Sequence, residues 1–75
     1  MKAFILITVR TGYIAEVLSH LTRVAGIREA NMTFGPYDIV AMAEADDLQS
    51  LGKMLAEDVH PIPGIEETLT CLAVD

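Results

Sequence analysis

Thr33-Phe34-Gly35-Pro36-Tyr37-Asp38 lies at the midpoint of a 75-residue chain and separates two strand-like runs. Gly35 and Pro36 interrupt the pattern before them, because glycine reaches conformations closed to other residues and proline lacks a backbone N–H. Tyr37 and Asp38 then open the next run with an aromatic ring and a carboxylate, where a plain hairpin would carry apolar residues. A tight turn holds its neighbours rigidly, so polar groups flanking it are well placed to hold a small molecule. The same turn decides the fold, because it divides the chain into two halves that each read strand, helix, strand.

Before the turn, Ala3 to Arg10 is β-branched and aliphatic, and such a near-continuous apolar run predicts a strand covered on both faces. Ile14, Val17, Leu18, Leu21 and Val24 recur at three- and four-residue steps, the stripe of an amphipathic helix, with Gly26 as its closing glycine. Ile27 to Phe34 alternates, with Arg28, Ala30, Met32 and Phe34 on one side and Ile27, Glu29, Asn31 and Thr33 on the other. That pattern predicts a weaker strand at a sheet edge.

After the turn, Ile39 to Ala45 reads as a third strand. Asp46 with Gln49 three residues on matches a capping-box helix start, and Leu48, Leu51, Leu55 and Val59 mark a second helical stripe. Gly52 inside that helix costs about 1 kcal/mol relative to alanine, which predicts that it allows close packing on the sheet. Pro61 and Pro63 end the helix, and Gly64 turns the chain into a fourth strand, Ile65 to Val74.

Two interleaved strand-helix-strand units with right-handed crossovers give a four-stranded antiparallel sheet with both helices on one face. This is an α+β, ferredoxin-like βαββαβ fold, spanning residues 1–75 as a single domain. Ala3, Ile5, Ile7 and Val9 suit the helix side. Phe4 and Leu6, with Thr8 beside them, then occupy the other face, and the fourth strand adds Leu72 and Val74 on one face and Leu69, Cys71 and Ala73 on the other. An uncovered face of this composition exposes a sizeable apolar patch, and pairing the bare faces of two copies removes it. Dimerisation is therefore expected from the pattern alone.

Composition narrows the function. The hydrophobic fraction is 52% with no Trp, more apolar surface than so small a body can hide by itself. The net charge is −6, with eleven acidic against five basic residues and no basic cluster, which argues against a direct grip on nucleic acid. The apolar start, Ala3-Phe4-Ile5-Leu6-Ile7, ends at Thr8 and Arg10 without a cleavage site, so it reads as a buried strand and not a leader. No run has membrane-spanning length. A single cysteine, Cys71, fits a reducing cytoplasm, and in a strand it reads as a small buried hydrophobe.

Chemistry-bearing residues are few. The Asp38 carboxylate can pair with a ligand ammonium beside backbone amides near Gly35, or it can cap its own turn. Tyr37 reads first as a packing ring. His20 and His60 are far apart, with His60 at a helix end where its cation suits the dipole. Thr68 and Thr70 share one strand face, where cross-strand packing is their default role. Neither a metal-ligand spacing nor a nucleophile motif occurs, and the acidic pairs Asp46-Asp47, Glu57-Asp58 and Glu66-Glu67 read as solvated ends of elements. No catalytic residue, metal or cofactor is predicted.

Val24-Ala25-Gly26-Ile27 through Phe34-Gly35-Pro36-Tyr37-Asp38, then Asp46-Asp47-Leu48, then Ile62-Pro63-Gly64-Ile65 with Glu67-Thr68-Leu69-Thr70, resembles the ligand-binding domain of the Lrp/AsnC feast/famine regulators, the RAM domain. Its most specific parts are the Gly-x-Tyr-Asp turn, matched by Gly35, Tyr37 and Asp38, and the late Pro-Gly-Ile…Thr-x-Thr. Full-length members carry an N-terminal helix-turn-helix, whereas this chain starts at the first strand, so it resembles a stand-alone form. The resemblance implies a homodimer formed through the sheets, assembled into a higher ring such as an octamer or decamer. It also implies a free amino acid as effector, bound between dimers near the turn, the start of the second helix and the last strand. Carried over, that places Gly35, Pro36, Tyr37, Asp38, Leu48, Thr70, Cys71 and Leu72 at the site.

These readings converge on a cytoplasmic, non-catalytic, amino-acid-sensing regulatory module that binds neither DNA nor membrane and acts alone or through a full-length Lrp/AsnC regulator. Two other classes share the architecture: small dimeric α+β barrel enzymes of the monooxygenase or isomerase type, and purely structural oligomerisation modules. An enzyme of that kind needs a cavity lined by His, Tyr or carboxylates, whereas the inner faces here are aliphatic.

Overall fold

Burial alternates along β1 (Lys2–Val9): Ala3, Ile5, Ile7 and Val9 are buried while Lys2, Phe4, Leu6 and Thr8 face the other way. A computed structural model describing residues 1–75 places the rest of the chain around this strand. After it come α1 (Ile14–Leu21), β2 (Ile27–Met32), β3 (Ile39–Glu44), α2 (Leu48–Met54), which continues as a π-helical turn over Leu55–Val59, and β4 (Ile65–Leu72). The sheet is antiparallel with strand order β2-β3-β1-β4, so β1 and β3 are central and β2 is an edge as predicted.

One continuous core lies between the sheet and the helices. It joins the inward residues of β1 to Ile39, Ala41 and Ala43 of β3, Val17 and Leu21 of α1, and Leu51, Leu55, Val59 and Ile62 of the second helical segment and its exit. The π turn serves this core. His60 N–H donates to the Leu55 carbonyl at 2.8 Å, and the wider turn keeps Leu55 and Val59 on one buried face.

Several local expectations are corrected. α1 ends at Leu21, not near Gly26, because Thr22 to Ala25 turn back and Val24 only packs against the core edge. Gly26 is small for another reason: a Cβ there would sit 2.9 Å from Met54 Cε and 3.3 Å from the Glu44 carbonyl. Ile27 joins Ala30 and Met32 on the helix side, against the alternation read from sequence, because a bulge between Ile27 and Glu29 reverses the side-chain order. Gly52 faces open space, so it is not a close-packing glycine. Leu48 is exposed and lies outside the core stripe, and Cys71 is exposed on the open sheet face.

The cap of α2 also shifts by one residue. Asp47, not Asp46, takes the N-cap position, and its carboxylate accepts from Ser50 N–H at 2.7 Å. That hydrogen bond, and the one from the Ser50 side chain, hold the Asp47 carboxyl below its ordinary value of 3.8. Because the folded pKa is depressed, the stabilisation is complete above the unfolded value and disappears as pH falls through the folded one. Asp47→Ala is therefore expected to lower the unfolding midpoint at pH 7 but not at pH 2, while Asp47→Asn keeps the cap at both. Thermal melts of the three proteins at the two pH values measure it.

Candidate functional site

The turn singled out by the sequence is a braced structure. Thr33 Oγ1 donates to the Tyr37 carbonyl at 2.8 Å, and Thr33 N–H donates to the Asp38 carbonyl at 3.0 Å, closing the loop on itself. Gly35 sits at φ +152°, a backbone conformation that disfavours other residues, with nothing within 4 Å of where a Cβ would be. Phe34, Gly35 and Pro36 are exposed, while Tyr37 and Asp38 are half-buried at the turn's base.

Asp38 follows neither of the two roles weighed from the sequence in full. Its backbone N–H donates to the Ile7 carbonyl at 2.9 Å. Its carboxylate Oδ2 accepts from Val9 N–H at 2.7 Å, on the adjacent strand and not in its own turn. Val9 stands where the pairing of β1 with β4 slips, so the carboxylate supplies an acceptor where the ladder is irregular. Oδ1 has no protein partner and remains the atom a ligand donor can meet. Thr33 and Val9 carried no sequence signal for these roles, since both contacts depend on strands meeting in space.

Asp38→Ala is expected to leave the Val9 amide without a partner and to cost about 1.5–3 kcal/mol. Asp38→Asn retains an acceptor oxygen and should cost much less. Urea unfolding at equal protein concentration separates the two, and equal stability for all three proteins would remove the bridging role.

The predicted site residues are spread along the sheet. Gly35, Pro36, Tyr37 and Asp38 cluster at the end of the sheet where β3 begins. Leu48 follows β3 and Leu72 pairs opposite Ala3, so both lie toward the other end, roughly 20 Å away at the rise of an extended strand. Thr70 and Leu72 share the helix-side face of β4, whereas Cys71 points to the open face. Thr68, on the Thr70 face, meets His60 Nε2 through its Oγ1 at 3.2 Å, so its role is a contact with the helix exit instead of cross-strand packing.

The open sheet face has its own organisation. Register places Met42, Phe4 and Cys71 in one row and Val40, Leu6 and Leu69 in the next. Phe4 is 39% and Leu69 53% exposed, large values for apolar side chains on a sheet face. The rim is polar: Thr8 and Glu67 at one side, Glu29 and Asn31 hydrogen-bonded at 2.8 Å on β2, and Lys2 over the Phe4 ring at 5.6 Å. An apolar centre within a polar rim is the anatomy of a protein interface.

No group of three or more His, Cys, Asp or Glu side chains is arranged to hold a metal ion. No helix is long and apolar enough to cross a membrane.

The fold, with its braced turn, is that of a small ferredoxin-like α+β module. Residues 2–75 match the model of the Lrp/AsnC ligand binding domain, and the chain belongs to that family. It is 38% identical over 74 residues to the HTH-type transcriptional regulator FL11 of Pyrococcus abyssi, covering 99% of this chain and 48% of that protein. The chain thus spans about half the length of the curated relatives it matches. The crystal structure of FFRP-DM1 superposes with a TM-score of 0.92 at 32% identity, over 97% of both chains. The transcriptional regulator NMB0573 of Neisseria meningitidis, solved as a complex with L-Met, shares the fold at a TM-score of 0.89 and 13% identity, over 99% of this chain and 49% of that one.

Proposed function

We propose that this chain is an amino-acid-responsive, homo-oligomeric regulatory module, acting in the cytoplasm without catalysis. The observation that carries this reading is the match of residues 2–75 to a ligand-binding domain whose relatives are named transcriptional regulators. The effector class takes support from the L-Met complex of NMB0573, which shares the fold. In this reading Asp38 Oδ1 and the backbone near Gly35 meet one end of the ligand, and Leu48, Thr70, Cys71 and Leu72 contribute from the last strand and second helix. Leu48 and Leu72 lie about 20 Å from the turn within one chain, so a ligand touching both them and the turn draws these residues from different copies. Binding would then act on assembly, shifting populations by the difference in affinity between assembled and separate forms.

Native mass spectrometry with and without each of the twenty amino acids tests the proposal, because it reads stoichiometry and retained ligand together. The expected result is retention of one amino acid, or a narrow group, with a changed distribution of assemblies. Retention of none would overturn the sensing role and leave a structural oligomerisation module. The −6 charge further supports the view that this stretch by itself does not hold duplex DNA. Fluorescence anisotropy at low salt, where phosphate contacts are strongest, should show no saturable binding below micromolar concentration.

A further inference from the structure

Asp38 is fixed from several directions, while the loop before it is fixed from almost none. The Tyr37–Asp38 peptide is held on both sides: its carbonyl accepts from Thr33 Oγ1 at 2.8 Å, and its N–H donates to the Ile7 carbonyl at 2.9 Å. The Asp38 carbonyl accepts from Thr33 N–H at 3.0 Å, and Oδ2 accepts from Val9 N–H at 2.7 Å. Thr33 therefore supplies two of these four contacts, one through its backbone and one through its side chain. Only Oδ1 is left over. No buried side-chain oxygen lacks a partner, so Oδ1 is open to solvent.

Packing does not hold the loop. Phe34 is 106% exposed, Pro36 is exposed, and a Cβ on Gly35 would meet nothing within 4 Å. No residue from Thr33 to Asp38 belongs to the buried core. The loop is closed by the two Thr33 bonds, and the hydroxyl is the one that the side chain controls. Removing it exposes no core surface, and the Tyr37 carbonyl, at the base of an open loop, can turn to water. The cost therefore falls on orientation more than on stability. Orientation is what a carboxylate needs to meet an ammonium, because charged hydrogen bonds are short and directional, and an acceptor fixed in advance spares the cost of ordering it.

We propose that Thr33 is a positioning residue for ligand binding: its hydroxyl sets the Tyr37–Asp38 peptide so that Oδ2 stays on Val9 and Oδ1 faces outward to a ligand ammonium. The inference deepens the amino-acid reading above and rests on it. Thr33 itself touches no ligand; its effect passes through Asp38, and it depends on the hydroxyl and not on the β-branched shape.

Thr33→Val keeps the shape and removes the hydroxyl, while Thr33→Ser keeps the hydroxyl and removes the methyl group. Two measurements on the parent and both variants test the role. Amide hydrogen exchange followed by NMR should be severalfold faster at Val9 and Asp38 in Thr33→Val, unchanged at Ile5 in the middle of β1, and that of the parent throughout in Thr33→Ser. A merely structural role would speed all of these amides together. Native mass spectrometry with each of the twenty free amino acids, titrated in turn, should show the one held by the parent bound roughly three- to tenfold more weakly by Thr33→Val and equally well by Thr33→Ser. Equal affinity in Thr33→Val, exchange at Val9 at the parent's rate, or the same loss in both variants would overturn the proposal. The amino-acid reading fails separately, on the parent alone, if it retains none of the twenty; exchange at Val9 then still decides whether Thr33 fixes Asp38.

Discussion

Leu6→Glu is expected to abolish the dimer and to leave the protein insoluble or unfolded. Leu6 lies between Val40 and Leu69 at the centre of the open sheet face, and a two-fold contact through that face uses it twice. Burying a leucine contributes about 1.5–3 kcal/mol, so losing it from both copies removes about 3–6 kcal/mol before any charge is counted. That alone weakens association roughly a hundred- to ten-thousand-fold. The introduced carboxylates would also face each other without partners, which adds to the cost. Light scattering and circular dichroism of parent and variant measure the outcome. A parent that is a folded monomer at micromolar concentration, or a variant that remains a dimer, would remove the sheet-face dimer.

Gly64→Ala should be the most damaging conservative change within a single chain. Gly64 sits at φ +101°, where a side chain costs about 1–2 kcal/mol. A Cβ there would also lie 2.7 Å from Tyr13 Cβ, an atom next to the backbone that cannot swing aside. Overpacking of this kind costs about 1–3 kcal/mol more, so the combined loss is about 2–5 kcal/mol. The Gly64 carbonyl accepts from Arg10 N–H at 2.7 Å, so displacing this turn also disturbs the junction of β1 with β4. Gly52→Ala is the matching control, since Gly52 lies inside α2 with open space around it, and alanine there should stabilise by about 0.5–1 kcal/mol. Thermal or urea unfolding at fixed protein concentration should move in opposite directions for the two variants. A Gly64→Ala protein as stable as the parent would mean that the turn can relax away from Tyr13.

Element order, the edge position of β2 and the two faces of β1 were legible in the sequence because each is written in a local period. Ile5 and Ile7 alternate with Phe4 and Leu6 at the two-residue period of a strand, and Val17 and Leu21 lie one helical turn apart. The open apolar face was legible for the same reason, since helices on one side leave the other side bare. The Gly35–Asp38 turn was legible from its residue types. What these four residues do was not.

The remaining features depend on where distant segments meet. Periodicity assumes an unbroken strand, so the bulge after Ile27 put that residue on the wrong face. A capping pattern offers adjacent candidates, and only the start of α2 chose Asp47 over Asp46. Gly26 and Gly52 look alike as glycines in a sequence, but Met54 crowds only the first. The Asp38 carboxylate reaches Val9, twenty-nine residues away, because the β1 ladder slips there and leaves an amide in need of an acceptor. By itself the sequence determined the fold, its order of elements and the apolar face that calls for a partner, all products of side-chain period and hydrophobic burial. The tertiary structure alone decided which polar atoms meet, that the predicted site residues spread along the sheet from the turn at one end to Leu48 and Leu72 at the other, and that Phe34 stands free of its own chain. Those are long-range contacts, set by strand register and chain crossings that no local pattern encodes.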